Sequence, residues 1–411
     1  MPLNLALFIG KRIAFNKQKS FSRFIIRLSI AATAVSVAAM IITLAFVNGF
    51  QKTVSEKVFS FWGHVRVQHF EANKSLVSEE NPIRRNDTVY RFIKQQAEVT
   101  QVQAFATKSA VLEKKKEIEG ILFKGIEKDY DSSQLKKFLT QGRWLKFGDS
   151  LYSREIIVSA QISAELKINL NDTVNVHFIS PQEGTATYRP LKVVGIYKTG
   201  IEEYDKLFAI GDLQLIRRLS NWEPDEIGGY EVFIKDYKKM DSINERLMEL
   251  PTVWASKTIK EVYPNIFDWL NIQDVNRNVV FAVMAIVAII NLITCLLILV
   301  LERTRMIGIL KAVGATDGSI QQVFLYNAGV ITLAGVGIGL VAGVGLCLLQ
   351  QYTGFISLDE STYYVSSAPI YIIWWQVAAV CECTAIVCFI CLIVPTLLVR
   401  NIKPVKAIQF R

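Results

Sequence analysis

Long apolar tracts alternate with charged or mixed stretches along this chain, and that alternation predicts the architecture before any single residue is singled out. Residues 28–47 are apolar apart from small hydroxyl side chains and reach the roughly 20 residues that a membrane span requires. Residues 279–301, 324–349 and 371–399 make three further tracts of this kind. Between the first and second tracts the composition becomes that of a water-soluble domain, long enough to bury its own core. The first tract runs directly into Asn48, Gly49, Phe50 and Gln51 with no small-residue cleavage site, so it is a retained anchor and not a signal peptide.

Within the mixed region the hydrophobic period changes. Val54, Val58, Phe59 and Phe61 keep helical spacing and predict that the first span continues outward as a stalk. Short β-type runs follow at 64–70, 101–107, 156–158, 173–178 and 191–197, with helices at 161–170 and 211–219, which makes the domain α+β. Pro264 suits a first helical turn, and Ile266, Phe267, Leu270 and Val275 give a second stalk leading into the next span.

The expected fold is an α-helical membrane protein with four transmembrane helices and a large α+β extracytoplasmic (periplasmic) domain between the first and second. A hydrophobic share of 51% and a mean hydropathy of +0.29 agree with that class. The net charge of +9 does not indicate nucleic acid, because the basic residues form no face interleaved with aromatics. They flank the tracts instead. Lys11, Arg12, Lys17, Lys19, Arg23 and Arg27 precede the first span without an acid; Arg303, Arg305 and Lys311 follow the second; Arg400, Lys403, Lys406 and Arg411 close the chain. The positive-inside rule places both termini and residues 302–316 in the cytoplasm and residues 51–278 outside. Residues 1–27 form a basic cytoplasmic or interfacial segment and 28–50 the first transmembrane helix.

The segment 301–320 is the most pointed feature. Met306, Ile307, Ile309 and Leu310 fall at helical spacing among Glu302, Arg303, Arg305 and Lys311, predicting an amphipathic helix. Gly314 ends it, and Ala315, Thr316 and Asp317 begin another, with Thr316 or Asp317 as N-cap. In the third tract Gly335, Gly339 and Gly343 recur every fourth residue and offer one bare face to another helix. Asn291 can hydrogen-bond to a neighbouring helix. Tyr371, Trp374 and Trp375 form an interfacial belt, and Glu382 is placed near the outer interface or against a partner in the bundle.

No spacing assembles a catalytic site. His64, His69 and His177 have neither cysteines nor paired carboxylates at ligand spacing and read as solvated or core histidines. The six cysteines all lie in or beside apolar tracts, so no disulfide framework is available, and the Cys381-Glu382-Cys383 run reads as helix packing and not metal ligation. Residues 113–119, EKKKEIE, predict a solvated hairpin tip or helix face, and Gly184 and Pro190 bracket a surface loop. The phosphate-binding pattern GxxxxGK[ST] is absent from the chain, so the chain carries no nucleotide site of that kind.

Four stretches then carry a family resemblance: VNGFQK at 47–52, VVGIYKTGIEEYD at 193–205, ERTRMIGILKAVGAT at 302–316 and IKPVKAIQFR at 402–411. With the topology above, the chain resembles the ABC transporter permeases with an FtsX-like domain, in the MacB/FtsX superfamily, and is most similar to the lipoprotein-releasing group of the LolC and LolE kind. The resemblance spans nearly the full length. It implies a MacB-type periplasmic core with stalk ends at 51–278 and an FtsX-like permease domain at 279–411. It also implies a coupling helix at 302–316, whose Glu302, Arg303, Arg305, Lys311, Gly314 and Ala315 meet a separate, LolD-like cytoplasmic ATPase. That partner would hold ATP and magnesium, with no cofactor in this chain. A second permease subunit, identical or related, a LolA-like periplasmic lipoprotein carrier and membrane lipids complete the implied partners, in a bacterial inner membrane. The alternatives are a mechanotransmission permease of the macrolide-exporter type and an FtsX-like regulator of cell-wall hydrolases.

Overall fold

The computed structural model describes residues 21–391 apart from 72–78, 116, 149–150 and 180–185. The predicted leader before residue 21, Gly184 and the basic tail beyond 391 lie outside the described residues, while Pro190, expected to bracket a loop with Gly184, lies within a strand opposite Asn175. The chain divides into two compact units. One takes the chain up to Lys52 together with Leu270–Ser357 and the chain from Ser367 onward; the other takes Thr53–Trp269 and Leu358–Ser366.

Five helices carry the first unit: α1 (Phe21–Trp62), α2 (Pro264–Glu302), α3 (Thr304–Ala312), α4 (Asp317–Thr353) and α5 (Trp374–Cys391). The outer ends of α1 and α2 belong to the second unit. Among the described residues three helices, residues 24–62, Pro264–Glu302 and Asp317–Thr353, are long and apolar enough to cross a membrane, while Trp374–Ile390 is a shorter apolar helix. The predicted fourth span at 371–399 is therefore seen only as far as Cys391. Two apolar clusters hold the unit together. Val37, Met40, Ile41 and Ala45 of α1 meet Val336 and Cys347 of α4 and Val377 of α5. Ile25 joins Leu292, Leu296 and Leu299 of α2, Ile307 of α3 and Phe324 of α4. Asn291 donates to the Ser29 carbonyl at 3.2 Å, a cross-helix bond in apolar surroundings. Glu382 lies on an exposed face of α5, two turns in from its start.

The second unit is a mixed sheet. Its strands are β1 (Val65–His69), β2 (Ile83–Arg84), β3 (Val99–Lys114), β4 (Glu117–Ile126), β5 (Leu139–Gly142) and β6 (Glu155–Ser159). After these come β7 (Thr173–Ile179), β8 (Ala186–Tyr197), β9 (Phe208–Asp212), β10 (Glu226–Ile227), β11 (Gly229–Ile234) and β12 (Trp254–Thr258). The large sheet runs β12-β1-β11-β3-β4-β9-β6-β8-β5, with β7 pairing β3 and β8, while β10 and β2 pair separately. Most pairs are antiparallel, but β4–β9 and β6–β8 are parallel.

All five predicted strands are strands, and two are longer than their apolar runs because they continue into exposed hairpins. Glu113 and Lys114 pair with Ile118 and Glu117 at the tip of the β3–β4 hairpin, where Lys115 adopts φ +60°. The helix expected at 161–170 ends at Glu165, since Lys167 and Asn171 take positive φ and turn the chain toward β7. The helix expected from Gly211 starts at Leu213, because Gly211 and Asp212 complete β9 and the Asp212 carboxylate caps the helix by accepting from Gln214 N at 2.9 Å.

Candidate functional site

The segment between α2 and α4 is a helix held from below and open above. Ile307 of α3 is fully buried, with Met306, Leu310 and Ala315 packed around it against α2 and α4. At its end the Ala315 N–H bonds the Leu310 carbonyl at 2.9 Å and the Gly314 N–H bonds the Lys311 carbonyl at 3.0 Å. This is a Schellman closure, and Gly314 supplies it at φ +100°. Thr316 then caps α4 by accepting from Ser319 N at 3.3 Å. Lys311 reaches across the turn to Asp317 at 2.8 Å, so α3 and α4 are joined by an ion pair as well as by backbone.

The residues predicted for this segment therefore separate. Glu302, Arg305 and Gly314 are exposed; Arg303, Lys311 and Ala315 are half-buried and work within the fold. Ile309, grouped from the sequence with the apolar face, points the other way and is 50% exposed. Leu301, Arg305, Ile309 and Val313 recur every fourth residue, and the three apolar members are all exposed, Val313 at 83%. A basic side chain flanked by exposed apolar residues, in a stripe that runs from the last turn of α2 over α3 to its C-cap, is suited to seat in a protein groove. Sequence reading named the charges, grouped Ile309 with the buried face and passed over Val313; helical spacing alone does not separate them, since Val313 falls beside Met306 on a helical wheel, and only the packing of α3 against α2 and α4 leaves both exposed.

Gly335, Gly339 and Gly343 face α1. A Cβ on Gly339 would lie 2.6 Å from the Ala34 carbonyl oxygen, one on Gly335 2.7 Å from Thr33 Cβ, and one on Gly343 3.0 Å from Ala38 Cα, whereas Gly337 and Gly345 face open space. Beside this seam a cavity of about 460 Å³ opens among α1, α2 and α5. Its wall is mostly apolar, with Met40, Leu44, Phe281 and Trp375, and it carries one basic group, Arg277.

In the second unit the outer end of α1 is built into the sheet. Phe61 and Trp62 are fully buried, with Phe61 stacked on Tyr204 at 4.8 Å and Trp62 edge-on to Phe208 at 4.9 Å. A helix leaves its last carbonyls unpaired and partly negative. Here Lys124 of β4 donates its ammonium to the Phe61 carbonyl. The same ammonium lies 2.6 Å from Glu231 of β11, whose other oxygen accepts from Tyr130 at 2.6 Å. Arg66 of β1 lies 4.5 Å from the centre of the Trp62 ring and pairs with Glu80 at 2.5 Å. Burial pulls Lys124 below its usual range, and Glu231 works against that shift. Sequence reading passed over this cluster; the signal was a lone charge at the centre of two apolar strands, ILFKGI and YEVFI.

The histidines serve structure. His64 stacks on Phe59 at 4.2 Å and accepts from Ile234 N at 3.1 Å, and burial pushes it down to about 4. His177 bonds Glu113 at 2.6 Å between two hairpins. Among the described residues no group of three or more His, Cys, Asp or Glu is placed to hold a metal.

Two family models match the chain: the MacB-like periplasmic core domain over residues 28–250 and the FtsX-like permease C-terminal domain over residues 278–404. Among curated proteins it is similar to the lipoprotein-releasing system transmembrane protein LolE of Haemophilus influenzae, at 23% identity over 92% of each chain. It is likewise similar to the corresponding LolC of Neisseria meningitidis, at 23% identity over 99% of each. Among solved structures the periplasmic region of MacB from Actinobacillus actinomycetemcomitans aligns at 17% identity and a TM-score of 0.33, over 49% of this chain and 91% of that one.

Proposed function

From the premise that the chain belongs to the MacB-like periplasmic core domain family and ends in an FtsX-like permease domain, we propose that it is the membrane permease subunit of an ATP-driven lipoprotein-releasing machine. The observation that carries this reading is the similarity to lipoprotein-releasing transmembrane proteins along nearly the whole chain. The protein sits in the bacterial inner membrane with the second unit in the periplasm and both termini in the cytoplasm. It is a non-catalytic subunit: ATP and magnesium bind a separate ATPase of the LolD kind, and a second permease, identical or related, completes the membrane part.

The physical parts support a force-passing role. The stripe Leu301, Arg305, Ile309 and Val313 gives the ATPase a surface to seat on, and the buried face of α3 ties that surface to the ends of α2 and α4. Helices α1 and α2 are each continuous into the second unit and give a displacement two helical routes into it. The apolar cavity flanked by Arg277 offers surroundings fit for an acyl chain. A carrier of the LolA kind then takes the released lipoprotein.

One complementation experiment tests this. Depleting the protein leaves lipoproteins in the inner membrane; wild type restores their delivery, and a variant with both Ile309→Asp and Val313→Asp inserts normally but does not. Normal outer-membrane delivery during depletion would sink the release function, and full rescue by the double variant would sink the seating of the ATPase on this stripe.

A further inference from the structure

The turn between α4 and α5 presents an unexpected allegiance. Its flanks, up to Ser357 and from Ser367, belong to the unit of membrane helices, yet Leu358–Ser366 belongs to the sheet unit. Leu358 N bonds the Ser366 carbonyl at 3.0 Å and closes the turn at its base. Within it a short helix, Glu360–Tyr363, ends at Tyr364 in the left-handed conformation, at φ +60°.

What holds this turn is charge. Glu360 Oε2 accepts from Lys198 Nζ at 2.5 Å, and Oε1 lies 3.7 Å from Lys57 Nζ. Lys57, on the outer stretch of α1, also donates to the Tyr364 carbonyl at 2.7 Å. The Tyr364 ring packs edge-on to Trp269 of α2 at 5.5 Å, and its hydroxyl donates to Glu203 at 3.4 Å. The receiving surface is shaped for it. Buried Asp205 accepts from Thr199 N at 3.0 Å, Thr199 Oγ1 at 2.9 Å and Gly200 N at 2.9 Å, which fixes the turn that presents Lys198. Gly200 adopts φ +75°, and a side chain there would collide with the Glu360 carboxylate and with Lys57 Nζ. The turn thus touches the outer stretches of both stalk helices and the sheet at one point.

We infer that Glu360 is a positioning residue, a latch through which the turn between α4 and α5 drives the sheet unit together with the two stalk helices. The unit then has three inputs, two covalent and one ionic, and the ionic one links it to the helix that carries the capped end of α3. This rests on the permease reading above.

The test uses the full chain with its own ATPase in vesicles of inner-membrane lipid, reading release of a lipid-anchored test protein per ATP hydrolysed. Glu360→Gln and Lys198→Gln each lower that ratio by up to about five-fold, the reach of one partly exposed ion pair, with ATP turnover unchanged. The double variant is no worse than either single one, and Glu360→Asp restores at least part of the loss. Multiplying effects, or single variants with full coupling, overturn the latch. A second arm is independent of transport: with native cysteines replaced by alanine, Glu360→Cys and Lys198→Cys are joined within one inserted chain by a short bis-maleimide. Failure to join overturns the latch geometry. A joined chain whose wild-type parent releases nothing overturns the release function and leaves the latch standing.

Discussion

The two halves of α1 are held by opposite means. In the membrane unit its face toward α4 is Thr33, Ala34, Val37, Ala38 and Ile41, met by the bare backbones of Gly335, Gly339 and Gly343. In the sheet unit its end is two buried aromatic rings and a carbonyl bonded to a buried ammonium. The difference follows from the solvents. Lipid tails are as apolar as the side chains, so burying more hydrocarbon gains little there, and close approach with dense van der Waals contact is what remains. In a domain surrounded by water, burial itself drives assembly, and the problem becomes the helix end, whose polar carbonyls must be matched when they are buried. One half is fixed by shape, the other by apolar burial with charge at its tip.

The largest effect separating the two modes is expected at Lys124. Lys124→Met leaves Glu231 buried without its cation and the Phe61 carbonyl without its donor, a loss of about 3–5 kcal/mol. Adding Glu231→Leu removes the orphaned charge and recovers most of it, read by thermal unfolding of the full chain in detergent through tryptophan fluorescence. If the double variant is as unstable as the single one, the charge pair is not what secures the outer end. In the membrane half the comparable break is steric. Gly339→Leu forces α1 and α4 apart and costs about 1–3 kcal/mol, whereas Gly337→Leu, which faces open space, is neutral. Equal losses at the two positions, measured by resistance of the detergent-solubilised chain to unfolding, would show that this seam is not a close-packed one.

The same contrast explains what was legible in the sequence. The membrane half is written as a periodic pattern, an apolar tract and a glycine every fourth residue, because its determinants are local and repeat along one helix. The α3 segment was legible as a capped amphipathic helix for the same reason, with Gly314 marking its end. The joint at Trp62 was not, because Lys124, Glu231 and Arg66 come from separate strands that only the sheet order brings together, and Glu80 comes from the irregular segment before β2. Nor was β9, whose short buried run FAIGD carries no alternation, since it lies between β4 and β6 with all five residues buried. Glu360 was hidden most completely. A four-residue helix in a loop has no period to read, and its partners Lys57 and Lys198 lie far away in sequence.

The smallest effect discriminates by acidity. His64 sits beside the outer end of α1 with its Nδ1 accepting from Ile234 N, which requires an unprotonated ring nitrogen, and burial holds it at about 4 against 6.5 in the unfolded chain. The folded form therefore disfavours the proton. Its stability is fully present above pH 6.5, falls as pH drops toward 4 because the unfolded chain takes up a proton first, and falls no further from this group below 4. By pH 5 the loss is about 2 kcal/mol. His64→Asn, which keeps an acceptor near the Nδ1 position and cannot titrate, flattens that dependence in unfolding measured from pH 7.5 to 5. The penalty of Gly339→Leu should be the same at both ends of that range, because no titratable group enters the seam it disrupts. An acid dependence that survives in the His64→Asn variant would move its origin to other groups of the sheet unit and leave the contrast between the two halves resting on Lys124 and Gly339 alone.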